Sequence, residues 1–140
     1  MDERFNDNGE FIFDFMDEIL VNCPKCQGCA NGFFSLAEPA KIICQKCGLY
    51  KIYDMYSYGN GNFCGEELWL KIHCCSNYLW AYNKKHLEFI EQYIKANIRQ
   101  RKPNVNQSIV SRLPQWMKKA SNREKILRCD DLLKQRLELK

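Results

Sequence analysis

Cys23-Pro24-Lys25-Cys26 and, after 17 intervening residues, Cys44-Gln45-Lys46-Cys47-Gly48 decide the reading of this chain. Each Cys-x-x-Cys pair forms a tight knuckle that points both sulfurs the same way. The segment between them is long enough to fold back as a hairpin and bring the second pair to the first. Four thiolates at that spacing suit one tetrahedral ion, and zinc fits because it is borderline-soft, redox-inert and content with four sulfurs. Gly48 follows the second pair where a knuckle turns through positive φ, which costs glycine nothing. Closed four-cysteine sites are structural, so one structural Zn2+ held by Cys23, Cys26, Cys44 and Cys47 is expected.

Two other fates of these thiols remain open. A single iron in a rubredoxin-like site takes the same ligands, and disulfides need an oxidising compartment. The chain opens Met1-Asp2-Glu3-Arg4, with no basic n-region leading into an apolar stretch, so a cytoplasmic location is expected. No apolar run nears the ~20 residues that cross a bilayer, so no membrane partner is expected. A ribbon of ~40 residues buries too little surface to fold alone, and metal binding supplies the deficit.

The charge is split along the chain. Residues 1–83 carry 6 Lys/Arg against 11 Asp/Glu, a net of −5, and residues 84–140 carry 15 against 6, a net of +9. The expected organisation is residues 1–83 as ribbon and sheet, with residues 84–140 as a basic helical region packed on it in one compact unit. A basic helical half invites nucleic acid or an acidic protein, although Lys and Arg also serve as the solvated faces of helices.

Periodicity places the elements. Ile19-Leu20-Val21 ends an N-terminal arm, read as a strand with a short helix over 12–20 as the competing reading. Residues 31–43 form a ribbon arm and residues 49–58 a strand rich in aromatic and β-branched residues. Tyr58-Gly59-Asn60-Gly61-Asn62 is a turn. Leu68, Leu70, Ile72 and Cys74 alternate with Trp69, Lys71, His73 and Cys75, and a strand over 78–82 follows a Ser76-Asn77 turn. This sheet is expected to continue the ribbon. Asn83 then caps a helix carrying Leu87, Ile90, Ile94 and Ile98 to about Arg101. A linker over 102–108 precedes a helix starting near Ser111, with Pro114 in its first turn and Leu113, Trp116, Met117 and Ala120 as its apolar face. Ser121 and Glu124 form a capping box for a last helix striped by Ile126, Cys129, Leu133 and Leu137.

Of the other cysteines, Cys29 reads as a bystander. Cys64, His73, Cys74 and Cys75 could be gathered into a second zinc site, but their spacing matches no knuckle, and Cys74 suits a core. His73 and His86 are expected as exposed polar residues. The chain lacks Gly-x-Ser-x-Gly, His-Glu-x-x-His, a phosphate-cradling loop and the deaminase signature, so neither enzyme activity nor a small-molecule substrate is expected. Tyr and Trp side chains interleave with the strands. Most suit core packing, but Trp69, beside Lys71 and His73, is a candidate for stacking on unpaired bases. Trp69, Lys71, Arg112, Lys118, Lys119 and Arg123 are the candidate contacts to nucleic acid or a protein partner.

The knuckles, Gly65-x-x-Leu68-Trp69-Leu70, Cys74-Cys75, Leu79-Trp80-Ala81-Tyr82-Asn83, His86-Leu87 and Ser111-Arg112-Leu113-Pro114-x-Trp116-Met117-Lys118 with Asn122-Arg123-Glu124 form a distinctive series. Together they resemble small bacterial proteins described as transcription factor IIB-type zinc-ribbon proteins, some named after a primosomal helicase. The likeness covers about residues 20–135. It implies a zinc ribbon with a helical tail, a cytoplasmic location and the same four cysteine ligands, while nothing in the chain resembles a helicase motor. The reading is an α+β protein: an N-terminal four-cysteine zinc ribbon extended by an antiparallel β-sheet, then two to three C-terminal helices. It is expected to be a non-enzymatic module binding nucleic acid through its basic half. The alternative is a protein-binding module, such as an immunity protein or antitoxin that neutralises a bacterial toxin.

Overall fold

The computed structural model describes residues 5–7, 15–35, 37–54, 58–59, 61–95, 99–101 and 113–140. Its organising element is an antiparallel four-stranded sheet of β2 (Ile19–Asn22), β3 (Cys29–Phe33), β4 (Ala40–Ile43) and β5 (Tyr50–Tyr53), in that order. In such a meander, successive connections alternate between the two ends of the sheet. The β2–β3 and β4–β5 connections therefore share one end, and these are the two cysteine knuckles. The single 17-residue spacer becomes one hairpin, with Gly32 opposite Ile42 and Phe33 opposite Lys41.

Alternation divides the sheet into two faces. Ile19, Val21, Ala30, Gly32, Ala40 and Ile42 turn inward onto a core that includes Met16, Phe63, Leu68 and Tyr82. Gly32 is required there: a Cβ would lie 2.8 Å from the Phe63 ring. On the other face, Asn31, Phe33, Lys41, Ile43, Tyr50 and Ile52 are half-buried or exposed. Strand β2 belongs to both sides. Ile19 and Val21 enter the ribbon core, while Leu20 enters a second, larger core formed by the helical half.

That second core is built on the hairpin of β9 (Leu70–Cys74) and β10 (Asn77–Ala81), with helix α1 (Lys84–Lys95) and the C-terminal helix α3 (Arg123–Glu138). The hairpin is a separate two-stranded sheet rather than a continuation of the ribbon. Its link to the ribbon is the backbone of Leu20, whose N–H donates to Tyr82 O (2.8 Å) and whose carbonyl accepts from Trp69 N–H (2.9 Å). A three-stranded sheet lies between them in sequence: β6 (Tyr58–Gly59), β7 (Asn62–Phe63) and β8 (Glu66–Glu67). A short parallel pair joins β1 (Phe5–Asp7) to β11 (Arg99–Arg101).

The fold class stands as α+β, with several local corrections. The hairpin turn is Cys75-Ser76, both at positive φ (53° and 63°), so Asn77 opens β10. Asn83 does cap α1: its Oδ1 accepts from His86 N–H at 2.9 Å, and its Nδ2 donates to Phe15 O at 2.6 Å. Leu87, Ile90 and Ile94 are buried, but Lys95 is the helix's last described residue, Ile98 lies outside the described residues, and Arg99–Arg101 is a strand. The 102–108 linker, Ser111 and Arg112 also lie outside the described residues. The next helix, α2 (Gln115–Lys118), starts one residue after Pro114, and Ala120 is exposed in a 3-10 turn over Ala120–Asn122. That turn consumes Ser121, so no capping box forms: α3 starts at Arg123 behind Asn122, without a side-chain cap. Ile126 and Leu133 are buried, as the stripe predicted.

Candidate metal centre

The knuckles repeat one backbone scheme. In the first, Cys23 N–H donates to Gly28 O (2.7 Å) and Gln27 N–H donates to Cys23 O (2.9 Å). In the second, Cys44 N–H donates to Leu49 O and Gly48 N–H to Cys44 O, each at 2.9 Å. The fourth residue after each leading cysteine takes positive φ, 64° at Gln27 and 81° at Gly48. The glycine anticipated from the sequence is thus matched by a glutamine in the same conformation, which no compositional signal reveals.

The scheme brings the four Sγ atoms within 4.8 Å of one another. Cys23 and Cys47 are 3.6 Å apart, and Cys26 and Cys44 are 3.7 Å apart. These are two opposite edges of a tetrahedron. A metal–sulfur distance of about 2.3 Å sets such edges at about 3.8 Å. The donor set therefore fits a metal ion without rearrangement.

Backbone amides point at the sulfurs: Lys25 N–H and Cys26 N–H at Cys23 Sγ, and Gly28 N–H at Cys26 Sγ, each at 3.4 Å. Burial acts to raise the Cys23 thiol, but these amides, joined by Cys47 and Cys26, bring it down to about 7. Burial and the neighbouring sulfurs push Cys47 up to about 11, against the Leu49 amide that lowers it. Packed thiols cannot all ionise until a cation compensates them, and a bound metal does so by displacing the protons. Cys23 and Cys44 are buried, Cys47 is half-buried and Cys26 is exposed, so the centre sits at the sheet's end with one open side.

The other cysteines take no part. Cys29 directs its thiol to Ala30 O at 3.9 Å. Cys64 (φ 54°) and Gly65 form the β7–β8 turn, and among the described residues Cys64 joins no group of potential ligands. Cys74 is buried as expected, 3.7 Å from Cys75 and beside Cys129 of α3, which directs its own thiol to His73 O. Among the described residues, the other group of potential ligands is Glu91, Asp130 and Asp131. The Lys134 ammonium already pairs there with Glu91 and, at 3.5 Å, with Asp130.

Two placements read from the sequence are corrected. Trp69 is buried, 6% exposed, because it precedes β9 and the alternation does not extend to it. Its indole N–H donates to Arg136 O at 3.0 Å, and the Arg136 guanidinium lies 3.9 Å from the ring centroid. It therefore ties α3 to the start of the hairpin and offers no face for stacking. His86 is buried between Phe15 and Tyr82, whose rings lie 5.1 and 5.5 Å away, and it accepts Tyr82 N–H on Nδ1. Burial lowers its pKa to about 3.

Lys71 stays at the surface of the hairpin, paired with Glu67 at 3.3 Å and lying 5.0 Å over the Tyr78 ring. Lys118 and Arg123 are half-buried and Lys119 exposed around the α2–α3 corner, and no described carboxylate pairs with them. Among the described residues, no helix is long and apolar enough to cross a membrane. Comparison with protein-family models, with curated proteins and with solved structures returned no match.

Proposed function

We propose that this chain is a non-enzymatic module whose four-cysteine centre carries one structural zinc ion, and that it binds nucleic acid through the corner between α2 and α3. Zinc is the reading because four thiolates at tetrahedral spacing suit a borderline-soft, redox-inert ion with four ligands. Zinc holds the knuckles and does no chemistry. A colourless protein with one zinc per chain supports this, and a coloured protein carrying iron overturns it.

The observation that carries the nucleic-acid reading is the charge balance over residues 118–128. Lys118, Lys119, Arg123, Lys125 and Arg128 fall within it, and Glu124 is the sole acid. On α1 and the rest of α3, several cations pair with the protein's own acids, as in Lys84–Glu88, Lys95–Glu91 and Lys134–Glu91. Among the described residues, none of these five has an ion pair. A cluster of this kind suits phosphates, whose affinity comes from releasing counterions.

The test is binding of the zinc-loaded protein to a labelled oligonucleotide across a salt series. Affinity should fall by about 10³ between 50 and 200 mM salt if six phosphates are contacted. The Lys118→Glu/Lys119→Glu variant should weaken binding uniformly across sequences and flatten the salt slope. Unchanged binding by that variant overturns the assignment. A stoichiometric protein retained from a nuclease-treated lysate, with no oligonucleotide binding, would favour the toxin-neutralising alternative.

A further inference from the structure

At its β2 end the outward face of the ribbon sheet is covered by the helical core, through Leu20 and Cys29, but its β3–β5 part is open and its composition is specific. Phe33 on β3 is 41% exposed, and Tyr50 and Ile52 on β5 are 58% and 54% exposed. Ordinary β-sheets place polar residues on a solvent face, so this cluster of apolar and aromatic groups has a cause. Lys41 stands between the two rings, its Nζ 5.7 Å from the Phe33 centroid and 5.9 Å from the Tyr50 centroid. The strand register explains the arrangement: Phe33 and Ile52 flank Lys41, while Asn31 and Tyr50 flank Ile43. Among the described strand residues on this face, none is acidic.

Two exposed rings less than about 12 Å apart, with a cation between them, match the needs of an unpaired strand. Its bases stack on the rings and a phosphate between them meets the ammonium. A duplex keeps its bases stacked internally and cannot use the rings.

We propose that this face, formed by Phe33, Lys41 and Tyr50, is a stacking platform for single-stranded nucleic acid. The inference rests on the nucleic-acid reading above and gives it a substrate class. The cationic corner supplies sequence-independent attraction to phosphate in any nucleic acid, and the platform selects the unpaired form. Stacking is tolerant of base identity, so discrimination is by strandedness rather than by sequence.

The experiment measures binding of the full-length zinc-loaded protein to labelled dT15 and to the dT15·dA15 duplex by fluorescence anisotropy. Phe33→Ala/Tyr50→Ala should weaken dT15 binding by about ten- to a hundred-fold and leave duplex binding unchanged. Tyr50→Phe keeps the ring and should retain wild-type affinity. Both rings are exposed, so the double variant should keep one zinc and its melting temperature. As a second readout on unmodified protein, photocrosslinking to a bromouracil-substituted single strand should fall on Phe33 or Tyr50.

Unchanged dT15 binding by the double variant, or crosslinks confined to residues 118–128, overturns the platform. If Lys118→Glu/Lys119→Glu then abolishes binding to both probes, the corner survives as the sole site. No binding of either probe by the native protein at low salt overturns both readings.

Discussion

The ribbon and the helical half solve the same problem by different means. The ribbon core includes small residues (Ala30, Ala40) and two of the metal-site cysteines, Cys23 and Cys44. The helical core carries Trp69, Leu70, Leu87, Phe89, Ile90, Tyr93, Ile126 and Leu133. The second gathers more buried residues, so at about 25 cal/mol per Å² it takes the larger share of apolar burial. On the proposed reading, the ribbon depends on the ion and the helical half on apolar packing. Yet the halves are joined rather than adjacent, because β2 buries Ile19 and Val21 on one side and Leu20 on the other.

The largest effect should come from removing the ion. Structural zinc contributes apparent free energies on the order of 10 kcal/mol in small domains. Cys44→Ser, or chelation, should abolish metal binding and amide protection in β3–β5, while α1 and α3 keep most of their far-ultraviolet helical signal. The reciprocal change, Leu133→Ala, should cost about 2–5 kcal/mol and leave metal stoichiometry at one. Hydrogen exchange followed by mass spectrometry reads both. If chelation exposes helices and ribbon together, the shared strand has made the molecule one cooperative unit and the contrast fails.

A smaller effect separates the halves by pH. Burial and then the Glu91 carboxylate push Asp130 up to about 7; against burial, a hydrogen bond with Asp130 and then the Lys134 ammonium hold Glu91 below its usual range. A carboxyl with a raised folded pKa holds its proton longer in the folded state, so its contribution falls as pH rises from about 4 to 7. His86, lowered to about 3 by burial, runs the other way: its unfolded form takes up protons below about 6.5, so its contribution falls as pH drops. In wild type these two slopes oppose each other between about pH 4 and 6.5. Asp130→Asn removes the first, so the variant's stability should rise with pH across this range, by at most about 1.4 kcal/mol per pH unit. Denaturant melts at pH 4.5, 5.5 and 6.5 test this, and a variant whose pH dependence tracks wild type refutes the assignment.

How legible each half was follows the same division. The four-cysteine cluster was legible because metal-ligand chemistry dictates spacing, and an antiparallel meander returns both knuckles to one end. The helix stripes of Leu87, Ile90 and Ile94, and of Ile126 and Leu133, were legible by period. What escaped depends on tertiary partners. Trp69 fell outside the alternation because β9 begins one residue later. His86 is enclosed by Phe15, Tyr82 and Trp80, which converge only after folding. Ser121 fits a capping box in sequence, but the 3-10 turn takes it first. One miss had a visible signal: the unbroken apolar run Ile19-Leu20-Val21 is how a strand buried on both faces reads. The exposed Phe33, Lys41 and Tyr50 needed the register before they could share a face.

The smallest effect lies inside the ribbon and compares its two knuckles. Their hydrogen-bond schemes match, but Gln27 takes at φ 64° the position that Gly48 takes at φ 81°. A residue with a Cβ is disfavoured in the left-handed region by roughly 1–2 kcal/mol. Glycine relieves that, at some cost in unfolded-state entropy. Gln27 is exposed, so its side chain has little packing to lose. Gln27→Gly should therefore stabilise the zinc-loaded ribbon by about 0.5–1 kcal/mol, and Gly48→Gln should destabilise it by a similar or larger amount. Competition with a graded chelator, read as the shift in zinc retention, measures both. Opposite signs would establish that the knuckles are equivalent halves of one site and that the first carries strain the second avoids. If Gln27→Gly instead lost zinc, the glutamine would have a role at the knuckle beyond its backbone, and the equivalence of the two turns would be broken.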